Sequence, residues 1–308
     1  MTSASAPGKI ILFGEHAVVY DRPALAVPVM QVHADVEISD SRRAGIWVDA
    51  PDISLHAELS ALPPTHPLAT TIRNTLRAAG VTNPPSLKIR VTSTIPVASG
   101  LGSGAAVSVA IIRALSSLVN HPLSDEEVNV LAYEIEKLHH GTPSGIDNTV
   151  ITYAKPVYFV RGQPIQTFSV ARAFTIVIGD TGRAAPTKES VGDVRKLWEV
   201  DKSRWEAVFD KVGKIVLDAR KAIESGMWER LGALMDSNHA LLQEMTVSSL
   251  ELDRLVLAAK AAGARGAKLS GGGRGGNMIA LVKPEDAEKV ASALLSAGAR
   301  HTIVTTVH

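Results

Sequence analysis

Two glycine-rich segments carry the strongest chemical signal in the sequence. Pro96-Val97-Ala98-Ser99-Gly100-Leu101-Gly102-Ser103-Gly104-Ala105 joins a strand pattern to an apolar helical stretch. Glycine lets backbone approach a ligand closely, and the first turn of a helix presents N–H groups carrying a partial positive charge. Together they make an anion site, typically for phosphate, whereas the competing reading is a tight strand-to-helix turn. The residues that would contact the anion are Pro96, Ser99, Gly100, Leu101, Gly102, Ser103, Gly104 and Ala105. The second segment is Lys268-Leu269-Ser270-Gly271-Gly272-Gly273-Arg274-Gly275-Gly276. Five glycines in six positions exceed what a hairpin turn requires. Such a loop costs folding entropy that packing does not return, so a functional loop is expected instead of a flexible hairpin.

The kind of phosphate site can be narrowed. Gly100, Gly102 and Ala105 match the dinucleotide pattern G-x-G-x-x-A. A dinucleotide fold needs a second strand after the helix, ending in an acidic residue about 20 positions on. Here a second helix pattern follows instead. The P-loop pattern G-x-x-x-x-G-K-[ST] is also missing. Its nearest approach, Gly271 to Gly276, is followed by Asn277 where lysine is required. No protein-kinase catalytic set occurs.

The elements that must position these loops follow from periodicity. Lys9–Phe13 is a compact apolar run, and Val27–Ile38 and Ser86–Thr92 alternate with period two, so three strands are expected. A helix is expected over about Leu68–Ala79, ending at Gly80. The stretch from about Gly104 to Val119 is apolar nearly all round, the mark of a buried helix. The next helix opens with a capping box, Ser124 and Glu127, and shows the stripe Val128, Leu131, Ile135, Leu138. After a strand over Phe174–Gly179, helices are expected over 190–222, 226–245 and 248–262. Strands Gly266–Leu269 and Met278–Val282 follow, then a helix opened by Pro284 and ending near Ala297, then a strand over Thr302–Val307. Strand, helices, strand, strand, helix, strand is a split βαβ order, the ferredoxin-like arrangement. The predicted fold is therefore α+β with two domains, 1–170 and 171–308.

Composition excludes several classes. The 308 residues suit two domains, and 45% hydrophobic with 20% charged residues fits a globular protein. A net charge of +1 without a basic stripe argues against a nucleic-acid partner. There is no cysteine, which removes disulfides, thiol nucleophiles and Cys-type zinc sites and fits a reducing cytoplasm. The first seven residues lack the pattern of a signal peptide, and no apolar run is long enough to span a membrane. His139 and His140 are adjacent on the helix pattern and do not face one another, so they do not form a metal pair.

With these segments in place, the sequence resembles the GHMP family of small-molecule kinases: galactokinase, homoserine kinase, mevalonate kinase and phosphomevalonate kinase. Its first motif is similar to Ala6-Pro7-Gly8-Lys9-Ile10-Ile11-Leu12-Phe13-Gly14-Glu15-His16-Ala17-Val18-Val19-Tyr20, and the two glycine loops correspond to the second and third. His140-Gly141-Thr142-Pro143-Ser144-Gly145-Ile146-Asp147-Asn148 resembles the segment carrying the catalytic aspartate. The run after His16, and Asp180-Thr181-Gly182 with Pro186-Thr187-Lys188-Glu189, look most like the mevalonate kinase branch. Arg274 falls where the third motif has glycine and Asn277 where cysteine is frequent; Gly104 and Asp21 depart from a common Ser and Gly. Arg274 either adds a cation near phosphates or points to solvent.

The resemblance implies an N-terminal ribosomal-protein-S5-like domain that binds ATP and a C-terminal ferredoxin-like domain. It implies transfer of the ATP γ-phosphate to the 5-hydroxyl of (R)-mevalonate, with Mg²⁺ held by Ser103 and Glu136 and phosphates held by the Pro96–Ala105 loop. Another family alcohol, such as phosphomevalonate, homoserine or a sugar, and a silent ligand sensor of the same fold are the alternatives. Asp147 would accept the hydroxyl proton; without the motif it reads as a turn-capping aspartate. Lys9 would stand beside it and lower the cost of ionising the hydroxyl, whereas residue type alone reads it as an exposed strand-end lysine. Glu15 and His16 would contact nucleotide or substrate, and Thr187 the substrate side or the transferring phosphate. Glu136 is either a solvated helix residue or a ligand aimed into a cleft. A homodimer is compatible with the resemblance.

Overall fold

The computed structural model describes residues 1–96, 99–140, 144–164 and 166–308. Val97 and Ala98 of the first glycine segment, Gly141 to Pro143 of the Asp147 segment, and the side chains of His139 and His140 lie outside the described residues. In chain order the elements begin β1 (Thr2–Phe13), β2 (Ala24–Asp40), β3 (Ile46–Ala50), β4 (Leu55–Glu58), α1 (Pro67–Ala78), β5 (Leu87–Ser93) and α2 (Ser103–Leu118). They continue α3 (Asp125–His140), α4 (Ile146–Tyr153), β6 (Val157–Phe159), β7 (Gln166–Thr167), β8 (Phe174–Asp180), α5 (Thr187–Val200) and α6 (Lys202–Glu224). The last are α7 (Leu231–Glu244), α8 (Leu250–Ala261), β9 (Gly266–Ser270), β10 (Asn277–Val282), α9 (Ala287–Ser296) and β11 (His301–Val307). The fold is α+β. Its two compact units are each built from separated stretches: Met1–Gly8, Val32–Val97 and Gly102–Ala154 in one, Lys9–Gln31, Ala98–Leu101 and Lys155–His308 in the other.

In the first unit, β2 pairs antiparallel with β5, β5 parallel with β3, and β3 antiparallel with β4. The alternation read from sequence is the burial pattern: Ala34, Val36 and Ile38 of β2 and Leu87, Ile89 and Val91 of β5 point inward. Helix α2 packs against α1, α3, α4 and β5, which is why it is apolar on nearly every face. The capping box is formed. Glu127 accepts from the Ser124 backbone N–H at 2.8 Å, and Ser124 Oγ accepts from the Glu127 N–H at 3.3 Å.

In the second unit, four antiparallel strands run in the order β11-β8-β10-β9. Strands β8 and β9 are joined through helices yet separated by β10, the split predicted from the element order. Helices α8 and α9 cover this sheet, burying Leu252, Leu255, Leu269, Met278, Ala280 and Leu294 in one core with Phe209, Val212 and Leu242 of α6 and α7. Helix α7 lies on β9 through a glycine pair. A Cβ on Gly232 would fall 2.3 Å from the Arg265 carbonyl oxygen, and one on Gly266 2.1 Å from the Gly232 oxygen.

Several boundaries differ from expectation. The stretch read as one helix over 190–222 is two, α5 and α6, because Asp201 ends the first and caps the second, its carboxylate accepting from the Arg204 N–H at 3.0 Å. Helix α4 and strands β3, β4, β6 and β7 were not expected; all are short, and short elements give little periodic signal. The expected strand Lys9–Phe13 is the C-terminal part of the longer β1, and Val27–Ile38 is the inner part of β2.

Gly232→Ala separates two effects of opposite sign. Helix propensity alone favours alanine by at most about 1 kcal/mol, while the clash with the Arg265 backbone should cost about 1–3 kcal/mol and outweigh it at so close an approach. The denaturation midpoint should therefore fall. A midpoint at or above that of the parent would show that the contact relaxes freely.

Candidate active site

The turn after β1 supplies Glu15 and His16. It is anchored on α6 by Tyr20, stacked on Phe209 with ring centroids 4.1 Å apart, and by Arg22, paired with Glu206 at 2.5 Å and Asp210 at 2.8 Å. His16 sits in the left-handed region, φ 62°, which a non-glycine residue enters only when its surroundings hold it there. It is buried, and its Nε2–H donates to the Gly272 carbonyl at 3.1 Å. Burial lowers its pKa to about 4, the Gly272 bond opposing and the Arg274 and Lys268 charges adding, so the ring is neutral at pH 7. Its Nδ1 is buried with no hydrogen-bond partner among the described residues.

Glu15 is buried and pairs with the ammonium of Lys268, which is 0% exposed and also donates to the Leu269 carbonyl at 2.6 Å. Burial pushes the Lys268 pKa down and the Glu15 carboxylate pushes it back up. The second oxygen of Glu15, Oε2, is buried without a partner among the described residues. Lys268 comes from β9, an edge strand whose outer N–H groups need acceptors. Helix α7 provides them one turn apart. Asp236 accepts from the Ala267 N–H at 3.0 Å and His239 Nδ1 from the Leu269 N–H at 3.3 Å. His239 then carries its proton on Nε2, 3.2 Å from Asp253, which also accepts from Ser248. Burial lowers the His239 pKa, as this neutral tautomer requires. The residues flanking Lys268 are thus pinned from outside the sheet.

Beyond β9 the loop 271–276 meets the other candidates of this unit. Gly272 lies against the first turn of α5, where a Cβ would fall 2.5 Å from Thr187 Oγ1. Gly273, at φ 73°, leaves only 1.9 Å between a Cβ and the Val247 oxygen, so no side chain fits. The Gly276 carbonyl accepts from both the N–H and the hydroxyl of Thr181 at 2.9 Å. Ser270 Oγ donates to the Ile11 carbonyl at 2.8 Å, and Asn277 Nδ2 donates to the Ser99 carbonyl at 2.5 Å. The Lys9 N–H donates to the Leu101 carbonyl at 2.9 Å. In this unit Lys9, Glu15, His16, Ser99, Leu101 and the third motif therefore form one connected network, with Thr187, itself exposed, at its edge. Lys9 is buried, which removes the exposed-lysine reading.

In the first unit, Gly102 caps α2 in a left-handed conformation and Ser103 is its first helical residue, with Gly104 and Ala105 completing that turn. Pro96 lies in the segment between β5 and α2. Glu136 on α3 is buried, which removes the solvated reading. Asp147 is in the first turn of α4, inside a helix instead of capping a loop. Helices α2, α3 and α4 pack on one another. Asn148, beside Asp147, donates to Asn129 Oδ1 of α3 at 2.6 Å. Arg113 of α2 reaches both Asp125 of α3, at 2.6 Å, and the Thr152 carbonyl of α4, at 2.8 Å. Sequence reasoning missed Asn129, Asp236, His239 and the Lys268 partnership; none has a local pattern, since each acts on a residue distant in the chain.

Comparison with known proteins fits this arrangement. The model for the GHMP kinases N terminal domain matches residues 67–155 and that for the GHMP kinases C terminal matches 219–300. The mevalonate kinase of Thermococcus gammatolerans is 37% identical over 96% of this chain and 93% of its own length. That of Saccharolobus solfataricus is 33% identical over 92% and 91%. The crystal structure of L. major mevalonate kinase in complex with R-mevalonate superposes with a TM-score of 0.87 at 31% identity, covering 100% of this chain and 96% of that one. The Methanococcus jannaschii enzyme gives 0.86 at 27% identity, covering 99% and 96%. The chain belongs to the mevalonate kinases of the GHMP kinase family.

Proposed function

We propose that the protein transfers the γ-phosphate of ATP to the 5-hydroxyl of (R)-mevalonate, giving 5-phosphomevalonate and ADP for isoprenoid synthesis. The observation that carries this reading is similarity to mevalonate kinases over 96% of the chain, with Lys9, Ser103, Glu136 and Asp147 all present at the matching positions. In the proposed reaction the substrate oxygen attacks the γ-phosphorus, the bond from that phosphorus to the β–γ bridging oxygen breaks, and the hydroxyl proton passes to the Asp147 carboxylate. A loose transition state leaves the proton in place until late, so an ordinary carboxylate suffices. Lys9 contributes positive charge that favours the alkoxide form.

The loop Pro96, Ser99, Gly100, Leu101, Gly102, Ser103, Gly104 and Ala105 is assigned the phosphates, with the N–H groups of the first turn of α2 as donors. Glu15, His16 and Thr187 are assigned the substrate side. The residues fit Mg²⁺: Ser103 offers a hydroxyl and Glu136 a buried carboxylate, both hard oxygen donors on packed helices. Among the described residues no three acidic or histidine side chains gather around a metal, which suits an ion that keeps phosphate and water ligands. Bound there, Mg²⁺ would neutralise charge on the phosphate oxygens. Among the described residues no helix is long and apolar enough to cross a membrane; the proposed setting is the cytoplasm.

The test is ADP release with a panel of mevalonate, phosphomevalonate, homoserine and galactose, followed by locating the phosphate on the product. Mevalonate should dominate, with phosphate on its 5-oxygen; turnover of another alcohol instead would overturn the substrate assignment. Asp147→Asn should retain ATP binding and lose turnover by about 10²–10⁴-fold, the usual share of a general base. Retained turnover would remove Asp147 from that role.

A further inference from the structure

Arg274 interrupts the glycine run of the third motif and does so in the left-handed region, φ 57°, a conformation suited to glycine. Its contacts explain the exception. The backbone N–H donates to the Val247 carbonyl at 2.8 Å, and Nε donates to the Thr246 carbonyl at 3.3 Å. Nη1 pairs with Asp193 of α5 at 2.6 Å. Asp193 is also held by Lys196 at 2.9 Å, and the two cations keep its carboxyl at about 2, Lys196 contributing first. The guanidinium thus already has an acidic partner and a carbonyl, unlike a cation reserved for phosphate. The same helix begins with Thr187, whose hydroxyl abuts Gly272 two residues before Arg274. Loop and helix are joined at two points, one steric and one ionic.

We propose that Arg274 is a positioning residue: its ion pair with Asp193 clamps helix α5 to the third glycine loop and so fixes Thr187 at Gly272. This deepens the proposed function and rests on the assignment of Thr187 to the substrate side. Arg274 is 28% exposed and Asp193 38%, and pairs this exposed contribute little to global stability. Arg274→Gly also relieves the left-handed strain. Loss of the clamp therefore shows in kinetics and local motion, not as a lower melting temperature.

The experiment is a cycle of Arg274→Gly, Asp193→Asn and the double variant, read by steady-state kinetics, thermal melting and amide hydrogen exchange. Each single variant should lower kcat/KM for mevalonate about tenfold, and the double should lose no more than either single. Exchange in the first two turns of α5 should rise alike in all three, with the melting temperature of Arg274→Gly equal to or above the parent's. Unchanged exchange in α5 would overturn the clamp whatever the substrate. So would a raised KM for ATP in Arg274→Gly alone, which marks a phosphate-binding cation. Parent protein inactive on mevalonate, with exchange still rising in α5, would refute the substrate reading and leave the clamp standing.

Discussion

The buried ion pair between Glu15 and Lys268 is the constraint on which the second unit's candidate residues depend. Removing two charges from water costs several kcal/mol per ion, and only a complete, well-placed pair offsets it. The pair joins residues 253 positions apart, one from the first motif and one from the strand that launches the third. Neither can shift alone without stranding a charge in a site where both are at most 2% exposed. The outer edge of β9 is accordingly fixed on both sides of Lys268, by Asp236 at Ala267 and by His239 at Leu269. The Glu15 turn is fixed by Arg22 and Tyr20 on α6.

From that fixed pair the glycine loop extends as a hub. Its carbonyls hold His16 and Thr181, and its bare Cα positions admit Thr187 and the Val247 carbonyl. Gly272, Gly273 and Gly275 serve close approach, each lying where an added Cβ would fall within 3 Å of a neighbouring atom, whereas Gly271 faces open space and needs glycine only for its left-handed φ of 86°. The two departures from the motif act in the same sense. Asn277 ties the loop's exit strand to the Ser99 carbonyl of the first glycine segment, and Arg274 ties the loop itself to α5. In the first unit, polar contacts among α2, α3 and α4 do comparable work, with Asn129 holding the helix that carries Asp147.

Much of this was legible in the sequence where the signal is local. The Ser124–Glu127 box, the alternation in β2 and β5, the all-apolar α2 and the split order of the second unit's sheet are each written within a few residues or in element order. Helix α4 was not legible, because eight residues including Ile, Thr and Val give neither length nor propensity. It is held in place by tertiary hydrogen bonds that Asn148 donates to Asn129 and Arg113 donates to the Thr152 carbonyl. The break at Asp201 was hidden by continuous helical composition on either side. For the site, the motif resemblance named Glu15, His16 and the glycine loops but not what holds them. Lys268, Asp236 and His239 matter through contacts that no spacing encodes.

The most direct measurement is a double-mutant cycle on Glu15→Met and Lys268→Met, read as unfolding free energy in denaturant. Each single variant leaves one buried charge unpaired and should cost about 3–5 kcal/mol, while the double variant should recover most of that loss. Losses that add to within about 0.5 kcal/mol would contradict the account, because they would mean the two side chains act independently.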